Sequence, residues 1–392
     1  MKGRRKMENY LSRKQEEMIQ LLEKLVNIDS GSYVKKGVDQ IGDMLKGEYQ
    51  QLGFTVEVYP QVEVGNHLSI YHPEVKDPAI LIVAHMDTVF PDGTAKERPF
   101  SRDEDRAYGP GVIDMKGSLV QVLYAIKALK DSGSDAYKHV HLILNSDEEI
   151  GSITSRPLIE KAAQGKEYAL IVEPARRDGS IVSSRKGVGI FTIEAYGRAA
   201  HAGVEPEKGR SAINALAHKI PKLHALTNYD EGITVNVGLI NGGISTNTIA
   251  PQATCQVDVR VETWEQGERI TKAIREICAT SDVEGTCLVV KGGMNRPPME
   301  KTKQVEELLA LIKTTGQELG IEIKDTFTGG GSDGSFTAGQ GVCTIDGLGP
   351  VGGNAHNENE YLELHHFTER TLLLANVINK LSQKTRLKQV VS

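Results

Sequence analysis

The chain has 392 residues, of which 25% are charged and 39% hydrophobic, a composition typical of globular proteins that excludes an extensively disordered chain. At roughly 150 residues per domain, this length predicts two or three domains with buried cores. The 46 basic and 52 acidic residues give a formal net charge of −6, and basic residues do not cluster beside aromatic ones, so nucleic acid is not an expected partner.

The N-terminal region predicts a helix and no secretory signal. Residues 15–26 place apolar side chains, among them Met18 and Leu22, at helical spacing. The basic start at residues 2–6 is followed by charged residues, whereas a signal peptide would continue with an apolar segment. The apolar runs are far shorter than the ~20 residues that a membrane-spanning helix needs. We therefore expect a cytoplasmic protein without a membrane segment.

Strands and helices alternate between residues 54 and 172. The β-branched run at residues 79–84 predicts a buried central strand, preceded by extended segments at 54–59 and 67–71. Further along the chain, the pattern predicts helix, strand, helix and strand at 117–129, 140–144, 155–163 and 169–172. Alternation of this kind predicts an α/β domain with a mostly parallel sheet.

The pattern changes near residue 186. Six segments then predict strand, helix, two strands, helix and strand, the element order of a ferredoxin-like α+β fold; they span 189–196, 211–226, 233–239, 254–261, 264–279 and 286–291. Beyond Arg296 and its two following prolines, helices are predicted at 304–319 and 368–381. We therefore predict a catalytic domain in two parts, 1–185 and 299–392, interrupted by an inserted domain at 186–298.

The cysteines form no recognisable motif. Their separations exclude a C-x-x-C pair and a zinc ribbon. The four residues are Cys255, Cys278, Cys287 and Cys343. We interpret them as buried thiols in a reducing compartment.

Ionisable side chains follow one predicted strand after another. His85 and Asp87 come directly after the central strand, the acidic run Asp147–Glu149 follows a second strand, and Glu173 follows a third. Because ligands bind at the carboxyl ends of the strands in an open parallel sheet, these side chains mark a candidate site.

Two further residues could reach the same edge. Asp114 lies in a glycine-rich turn before a helix, and His356 follows the last predicted sheet segment. Histidines with carboxylates suit zinc or a similar divalent ion, and one carboxylate can be shared between two ions about 3.5 to 4 Å apart.

Each of these residues also has a purely structural interpretation. Asp87 could cap a helix, Asp114 could stabilise an Asx-turn, and Asp147–Glu149 could form the first turn of a helix. Consecutive carboxylates at the end of an apolar strand nevertheless cost free energy unless cations compensate for them. Their joint placement therefore favours a metal site.

Five segments in this order resemble the motifs of the M20 metallopeptidases, especially the glutamate carboxypeptidase branch. The segments are His85–Asp87, Gly111–Gly117, Asp147–Gly151, Glu173-Pro174 and His356. The resemblance covers nearly the whole chain, with a lid domain inserted between the fourth and fifth motifs.

The resemblance implies two zinc ions in each subunit, with cobalt or manganese as possible substitutes. It assigns His85, Asp114 and Glu173 to one ion. It assigns Asp114, Glu149 and His356 to the other, so that Asp114 bridges the two.

Two more carboxylates receive roles from the resemblance. Asp87 would fix the tautomer of His85 by hydrogen bonding its far nitrogen. Glu148 would be the general base that takes a proton from the attacking water and passes it to the leaving amine.

The inserted domain would supply the remaining site residues. His201 resembles the family histidine that stabilises the oxyanion, often contributed by the other subunit of a dimer. The side chains that would hold the substrate's carboxylate are Asn247, Arg260 and Arg296, and Gly330 belongs to a glycine-rich turn near the substrate terminus. Alternatively, His201 is structural and each arginine forms a surface ion pair.

The resemblance implies hydrolysis of an amide bond in a small peptide or N-acyl amino acid, releasing a C-terminal amino acid, above all glutamate. An N-acyl amino acid deacylase or a dipeptidase is an alternative, because pocket shape decides between substrates at one metal site. A non-catalytic metal-binding relative and a lid that senses a small molecule are further alternatives. Relatives dimerise through the inserted domain, so we expect a homodimer.

Overall fold

The computed structural model describes the main chain of residues 2–391 and the side chains of residues 3–387. The chain divides into two units. The first comprises Met1–Ser183, Lys301–Phe327 and Ser332–Ser392, and the second comprises Ser184–Glu300 and Thr328–Gly331. The short segment Thr328–Gly331 groups with the second unit, whereas the sequence predicted it within the second part of the catalytic domain.

The secondary structure elements are numbered in chain order. The strands are β1 (Thr55–Tyr59), β2 (His67–Tyr71), β3 (Ile80–His85), β4 (Ser101–Arg102), β5 (Arg106–Tyr108), β6 (Val140–Asn145), β7 (Tyr168–Ile171), β8 (Ile181–Arg185), β9 (Gly187–Tyr196), β10 (Thr234–Gly242), β11 (Gln252–Val261), β12 (Cys287–Arg296), β13 (Asp325–Thr328), β14 (Cys343–Ile345), β15 (Gly352–Gly353) and β16 (Tyr361–Glu363). The helices are α1 (Lys2–Val26), α2 (Lys35–Gln51), α3 (Thr94–Glu97), α4 (Gly117–Asp131), α5 (Arg156–Ala163), α6 (Ala212–His224), α7 (Trp264–Cys278), α8 (Lys303–Leu319), α9 (Gly334–Gly339) and α10 (Leu364–Val391).

The first unit is built on a six-stranded sheet with the order β1-β2-β6-β3-β7-β14. Strands β6, β3, β7 and β14 run parallel, whereas β2 is antiparallel to β6 and β1 is antiparallel to β2. The predicted α/β class is confirmed, and the sheet is mixed. β1 and β2 are antiparallel because the short connection at residues 60–66 can join only antiparallel neighbours.

The register of the parallel strands brings their carboxyl ends to one edge of the sheet. Ile82 of β3 lies between Leu142 of β6 and Leu170 of β7, and all three side chains are fully buried. His85 at the end of β3 therefore lies beside Asn145 at the end of β6. The residues that directly follow these strands therefore lie at the same edge of the sheet.

Helices cover the sheet, and several differ from the prediction: α3 and α9 were not predicted, α10 extends beyond the predicted 368–381, and α1 and α2 differ most. α1 begins at Lys2, well before the predicted start at residue 15, and it packs with α4 and α10. α2 was not predicted, because Gly37 and Gly42 weaken its helical pattern even though Val38, Ile41 and Leu45 are buried. In the part of the chain that the structure describes, no helix is long and apolar enough to cross a membrane.

The second unit contains a four-stranded antiparallel sheet with the order β10-β11-β9-β12. Helices α6 and α7 pack on this sheet, and the chain order is β9, α6, β10, β11, α7 and β12. This is the ferredoxin-like element order that the sequence predicts. The core between the layers includes Phe191, Leu216 and Ile274.

Candidate metal centre

Three candidate ligands lie at the carboxyl edge of the parallel strands. His85 is the last residue of β3, Glu173 follows β7, and Glu149 lies in a single 3₁₀ turn, Glu148–Ile150, after β6. His85 is buried, and its Nε2 atom lies 3.8 Å from Oε1 of Glu173. The shared strand register therefore brings side chains together that are widely separated in the sequence.

Asp114 lies between two histidines. Its Oδ1 atom is 3.1 Å from Nε2 of His85, and its Oδ2 atom is 3.2 Å from Nε2 of His356. Nε2 of His356 is also 3.2 Å from Oε2 of Glu149. One carboxylate thus faces both imidazoles, with a different oxygen directed at each.

The five predicted ligands form two clusters that share Asp114. The first cluster comprises His85, Asp114 and Glu173, and the second comprises Asp114, Glu149 and His356. In each cluster, one potential ligand atom from each side chain lies within 4.8 Å of the others.

The donor set and the burial of one oxygen fit a divalent metal ion. Oε1 of Glu149 is buried and makes no hydrogen bond within the described chain. A buried polar atom without a partner is costly, and a bound cation would satisfy it. Imidazole nitrogens with carboxylate oxygens are ligands that zinc accepts.

Crowded carboxylates shift the protonation of this site. Burial lowers the pKa of His85, but its hydrogen bonds to Asp114 and Asp87 outweigh burial and raise that pKa well above its usual value. Hydrogen bonds to Asp114 and Glu149 raise the pKa of His356 to about 10. Burial and the charge of Asp114 raise the pKa of Glu173 well above its usual value. Clustered negative charge contributes to all three shifts, and it favours a compensating positive charge, whether a proton or a metal ion.

The buried Asp87 faces the far nitrogen of His85 with its main-chain carbonyl as well as with its carboxylate. Nδ1 of His85 lies 3.0 Å from the main-chain oxygen of Asp87 and 3.4 Å from its carboxylate Oδ1. The closer partner is therefore the carbonyl. The Asp87 carboxylate accepts hydrogen bonds from Oγ of Ser32 at 2.6 Å and from the N–H groups of Glu148 and Glu149, each at 3.2 Å. Asp87 thus holds the turn that carries both glutamates.

Glu360, which was not among the predicted site residues, positions the Asp114 loop. Its buried carboxylate accepts hydrogen bonds from the N–H groups of Gly111, Ile113 and Asp114, at 3.0, 2.9 and 3.0 Å. Burial raises the pKa of Glu360 to about 7. The available sequence signal was weak, namely an acidic residue four positions after His356.

Asp333 is a second missed residue. Its buried carboxylate accepts hydrogen bonds from Nδ2 of Asn145 and Oγ of Ser152, which flank the turn that carries the two glutamates. Ser152 has a positive φ of 56°, a conformation that a non-glycine residue keeps only with support from its surroundings. The signal in the sequence was the acid that follows the glycine run at residues 329–331.

Two predicted residues of the second unit lie on neighbouring segments. His201 pairs with Thr248 in an isolated bridge, and the N–H group of Ala202 donates to the main-chain oxygen of Asn247 at 2.9 Å. The side chains of His201 and Asn247 are both exposed. Nδ1 of His201 accepts a hydrogen bond from the N–H group of Gly203 at 3.2 Å.

Arg260 forms an ion pair inside the second unit. Its Nε and Nη2 atoms donate to the two carboxylate oxygens of Asp258, each at 2.9 Å. Its Nη1 atom lies 3.4 Å from the main-chain oxygen of Gly329. A substrate carboxylate at Arg260 would therefore have to share or replace the contact with Asp258.

Arg296 packs against the glycine segment of the same unit. It is buried, and a Cβ atom at Gly331 would lie only 2.9 Å from its Cδ atom, so a side chain there would displace it. Gly330 is exposed, and its main-chain oxygen accepts a hydrogen bond from Nη1 of Arg185 at 3.1 Å. The predicted residues Arg260, Arg296 and Gly330 thus lie around one segment, together with Arg185, which was not predicted.

The profile of Peptidase family M20/M25/M40 matches residues 81–380. The chain belongs to this family. As an M20 metallopeptidase it is an enzyme, and both predictions are confirmed.

Similar proteins extend over most of this M20 chain. Carboxypeptidase G2 of Pseudomonas sp. strain RS-16 is 30% identical over 369 residues, which cover 92% of this chain and 88% of that protein. Succinyl-diaminopimelate desuccinylase of Hydrogenovibrio crunogenus is 27% identical over 390 residues, which cover 92% of this chain and 98% of that protein. The crystal structure of aminopeptidase PepT from Bacillus cereus has a TM-score of 0.73 at 23% identity, covering 93% of this chain and 98% of that one. The PepT comparison shows a shared fold.

Proposed function

We propose that this M20 enzyme is a two-zinc hydrolase that releases a C-terminal amino acid, above all glutamate, from peptidyl or N-acyl conjugates. The observation that carries the proposal is Asp114, because each of its carboxylate oxygens faces a different histidine. A carboxylate shared in this way suits two ions about 3.5 to 4 Å apart. Cobalt or manganese could occupy the same ligands.

The ions and the protein would divide the chemistry. When bound, the two ions would polarise the amide carbonyl and lower the pKa of the attacking water. Glu148 belongs to neither ligand cluster but precedes the ligand Glu149 in the turn that Asp87 holds. As general base, Glu148 takes a proton from water while oxygen bonds to the carbonyl carbon. It then delivers that proton to the amine nitrogen as the C–N bond breaks.

We assign substrate binding to the second unit, acting as an inserted lid. His201 would donate to the negative oxygen of the tetrahedral intermediate. Arg296, Arg260 and Asn247 would bind the free carboxylate, for which the planar fork of arginine is suited. Gly330 would present backbone groups to the same end of the substrate. The assembly of Arg260, Arg296 and the glycine segment within one unit supports this assignment.

A deacylase or dipeptidase is the second candidate function. Similarity to the desuccinylase of Hydrogenovibrio crunogenus, at 27% identity over nearly its full length, favours it. Both functions use the same metal chemistry, and they differ in the acyl group and in the free amine that the pocket accepts. A non-catalytic relative is less consistent with the chain, since the five ligands and Glu148 are all present.

We further propose a homodimer that forms through the second unit. Strand β10 is an outer strand of that unit's sheet, and it exposes Leu239 and Ile240. An exposed sheet edge with apolar side chains favours pairing with another chain. All four cysteines are free thiols, which agrees with a cytoplasmic location. Cys255, Cys278 and Cys343 are buried as predicted, whereas Cys287 is exposed.

The substrate proposal is tested by measuring kcat/KM for zinc-loaded protein. The panel comprises acyl-capped peptides ending in glutamate, N-acetyl amino acids and simple dipeptides. Preference for large acyl groups on glutamate supports the carboxypeptidase proposal. Preference for acetyl groups or for a free α-amine would contradict it and establish the alternative. Loss of turnover after chelation, with recovery on adding zinc, is the control for metal dependence.

A further inference from the structure

A third group of metal-binding side chains lies where β16 meets α10. Glu363 is the last residue of β16, and His365 and His366 lie in the first turn of α10. One potential ligand atom from each residue lies within 4.8 Å of the other two. None of the three belongs to the clusters around Asp114.

One imidazole is already held in a metal-binding orientation. Nδ1 of His366 lies 2.8 Å from Oε2 of Glu369, which directs Nε2 of His366 toward Oε2 of Glu363 at 3.9 Å. Metal-binding histidines usually have a carboxylate or carbonyl on their second nitrogen, as here. Bonds of about 2.0–2.2 Å to one ion place its ligand atoms roughly 3 to 4 Å apart, so the observed separation fits.

The carboxylate of Glu363 is oriented as well. Its Oε1 atom lies 3.3 Å from Nη2 of Arg106, its cross-strand neighbour in β5. Arg106 in turn stacks 4.1 Å above the ring of Tyr361. With Oε1 engaged by Arg106, Oε2 of Glu363 is the oxygen presented to His366.

The backbone at this corner is anchored on both sides of Glu363. The N–H group of Glu363 donates to the main-chain oxygen of Val351 at 2.9 Å. The N–H group of Leu364 donates to the main-chain oxygen of Asp105 at 2.8 Å. Leu364 and Phe367 are buried, which leaves the intervening histidines at the surface. The ring centroids of His365 and His366 are 3.8 Å apart, so both imidazoles lie on the same side.

The local charge favours a cation. Two carboxylates, Glu363 and Glu369, outweigh the single guanidinium of Arg106 together with the roughly half positive charge of a helix N-terminus. Two imidazoles with one carboxylate suit zinc or copper better than magnesium or calcium, which prefer ligand sets made of oxygen.

We propose that Glu363, His365 and His366 bind a divalent transition-metal ion of the zinc class at a site distinct from the catalytic centre. The ion is held by Nε2 of His366, a ring nitrogen of His365 and Oε2 of Glu363, with water completing its coordination. Because the ligands are partly exposed, this ion exchanges more readily than ions at the buried centre.

The test counts zinc bound per chain after equilibrium dialysis against graded zinc concentrations. Wild type is expected to bind one equivalent more than the double variant His365→Ala/His366→Ala. Since the prediction is a difference of one, it does not depend on how many ions the Asp114 clusters hold. The variant His218→Ala removes an exposed histidine from α6 and should retain the additional equivalent.

Two further readouts keep the result interpretable. The double variant should retain wild-type hydrolysis at saturating zinc, which shows that the fold and the catalytic centre are intact. Glu369→Gln should weaken the additional site without removing a ligand, because it loosens the orientation of His366. The proposal is overturned if wild type and the double variant bind equal amounts of zinc, or if His218→Ala loses as much as the double variant.

Discussion

Buried carboxylates outside the two ligand clusters hold the backbone that carries the ligands. The carboxylate of Asp87 accepts hydrogen bonds from the main-chain N–H groups of Glu148 and Glu149. The carboxylate of Glu360 accepts hydrogen bonds from three main-chain N–H groups of the Asp114 loop. Backbone donors at these positions would otherwise be left without partners, which is costly in a buried site. The geometry of the metal centre is thus fixed largely by residues that do not bind metal.

Glu148 gives the most direct mechanistic prediction at the scale of one residue. Glu148→Gln should lower kcat by roughly 10²- to 10⁴-fold, because it removes the group that transfers the proton. Bound zinc per chain should stay at the wild-type level, since Glu148 is in neither cluster. Steady-state kinetics with metal analysis checks both quantities. Glu149→Gln is the contrasting variant, in which zinc binding itself should weaken. Activity of Glu148→Gln within about tenfold of wild type would rule out the role assigned to it.

Glu360 should control metal affinity indirectly. Glu360→Gln replaces one acceptor oxygen by an NH₂ group, which then faces a backbone N–H group and displaces the Asp114 loop. We expect zinc affinity to fall by about 10- to 100-fold, with a smaller loss of kcat once zinc is saturating. Competition with a chelator measures the affinity. The exposed Glu358 provides a matched control, and Glu358→Gln should bind zinc as wild type does. Unchanged affinity in Glu360→Gln would show that the loop keeps its position without this carboxylate.

At the scale of elements, the turn between β6 and α5 depends on Asp333. Asp333→Asn would place an amide group against the donors Asn145 and Ser152, lowering stability by about 1–3 kcal/mol. Because the same turn carries Glu148, kcat should also fall at saturating zinc while KM changes little. Asp325→Asn is the control. It removes a partly buried carboxylate that binds Lys301 and Lys313, so it should lower stability without changing kcat. Equal kcat in the two variants would exclude a positioning role for Asp333.

His141, which lies in β6 beside β2, should make the stability of the protein depend on pH. Burial, reinforced by the charge of Lys166, lowers the pKa of His141 to about 4, below about 6.5 in an unfolded chain. The unfolded chain therefore takes up this proton first, and stability falls as the pH is lowered from about 6.5 through about 4. The loss approaches roughly 3 kcal/mol at the acid end of this range.

The variant His141→Gln isolates this contribution. Glutamine can keep the hydrogen bond to Ser69, which lies 2.9 Å from Nε2 of His141, but it does not titrate. Denaturant unfolding of both proteins should show that wild type loses more stability than the variant between about pH 7 and about pH 4. If the difference in unfolding free energy between wild type and His141→Gln stays constant over this pH range, His141 is not the source of the pH dependence.

At the scale of the whole molecule, the sequence predicts the features that depend on local patterns. The apolar run at residues 79–84 predicts β3, and the alternation after it predicts the α/β class together with α4, β6, α5 and β7, but not α3, β4 or β5. The element order of the second unit was likewise predictable, because each strand and helix carries its own apolar period.

What the sequence did not reveal depends on distant partners. Glu360 binds backbone groups 246 to 249 positions earlier, and Asp333 binds side chains 188 and 181 positions earlier. No local spacing encodes such contacts. The arginine environment shows the same limitation. The pairing of Arg260 with Asp258 and the packing of Arg296 against Gly331 become visible only in the folded second unit.

The proposed function depends on the bridging of two metal ions by Asp114. The most direct test is a crystal structure of zinc-loaded protein with anomalous difference maps recorded at the zinc edge. We predict two peaks about 3.5 to 4 Å apart, each beside one oxygen of Asp114. His85 and Glu173 should bind one ion, and Glu149 and His356 should bind the other. A single peak, or two peaks with Asp114 bound to only one of them, would show that Asp114 does not bridge two ions.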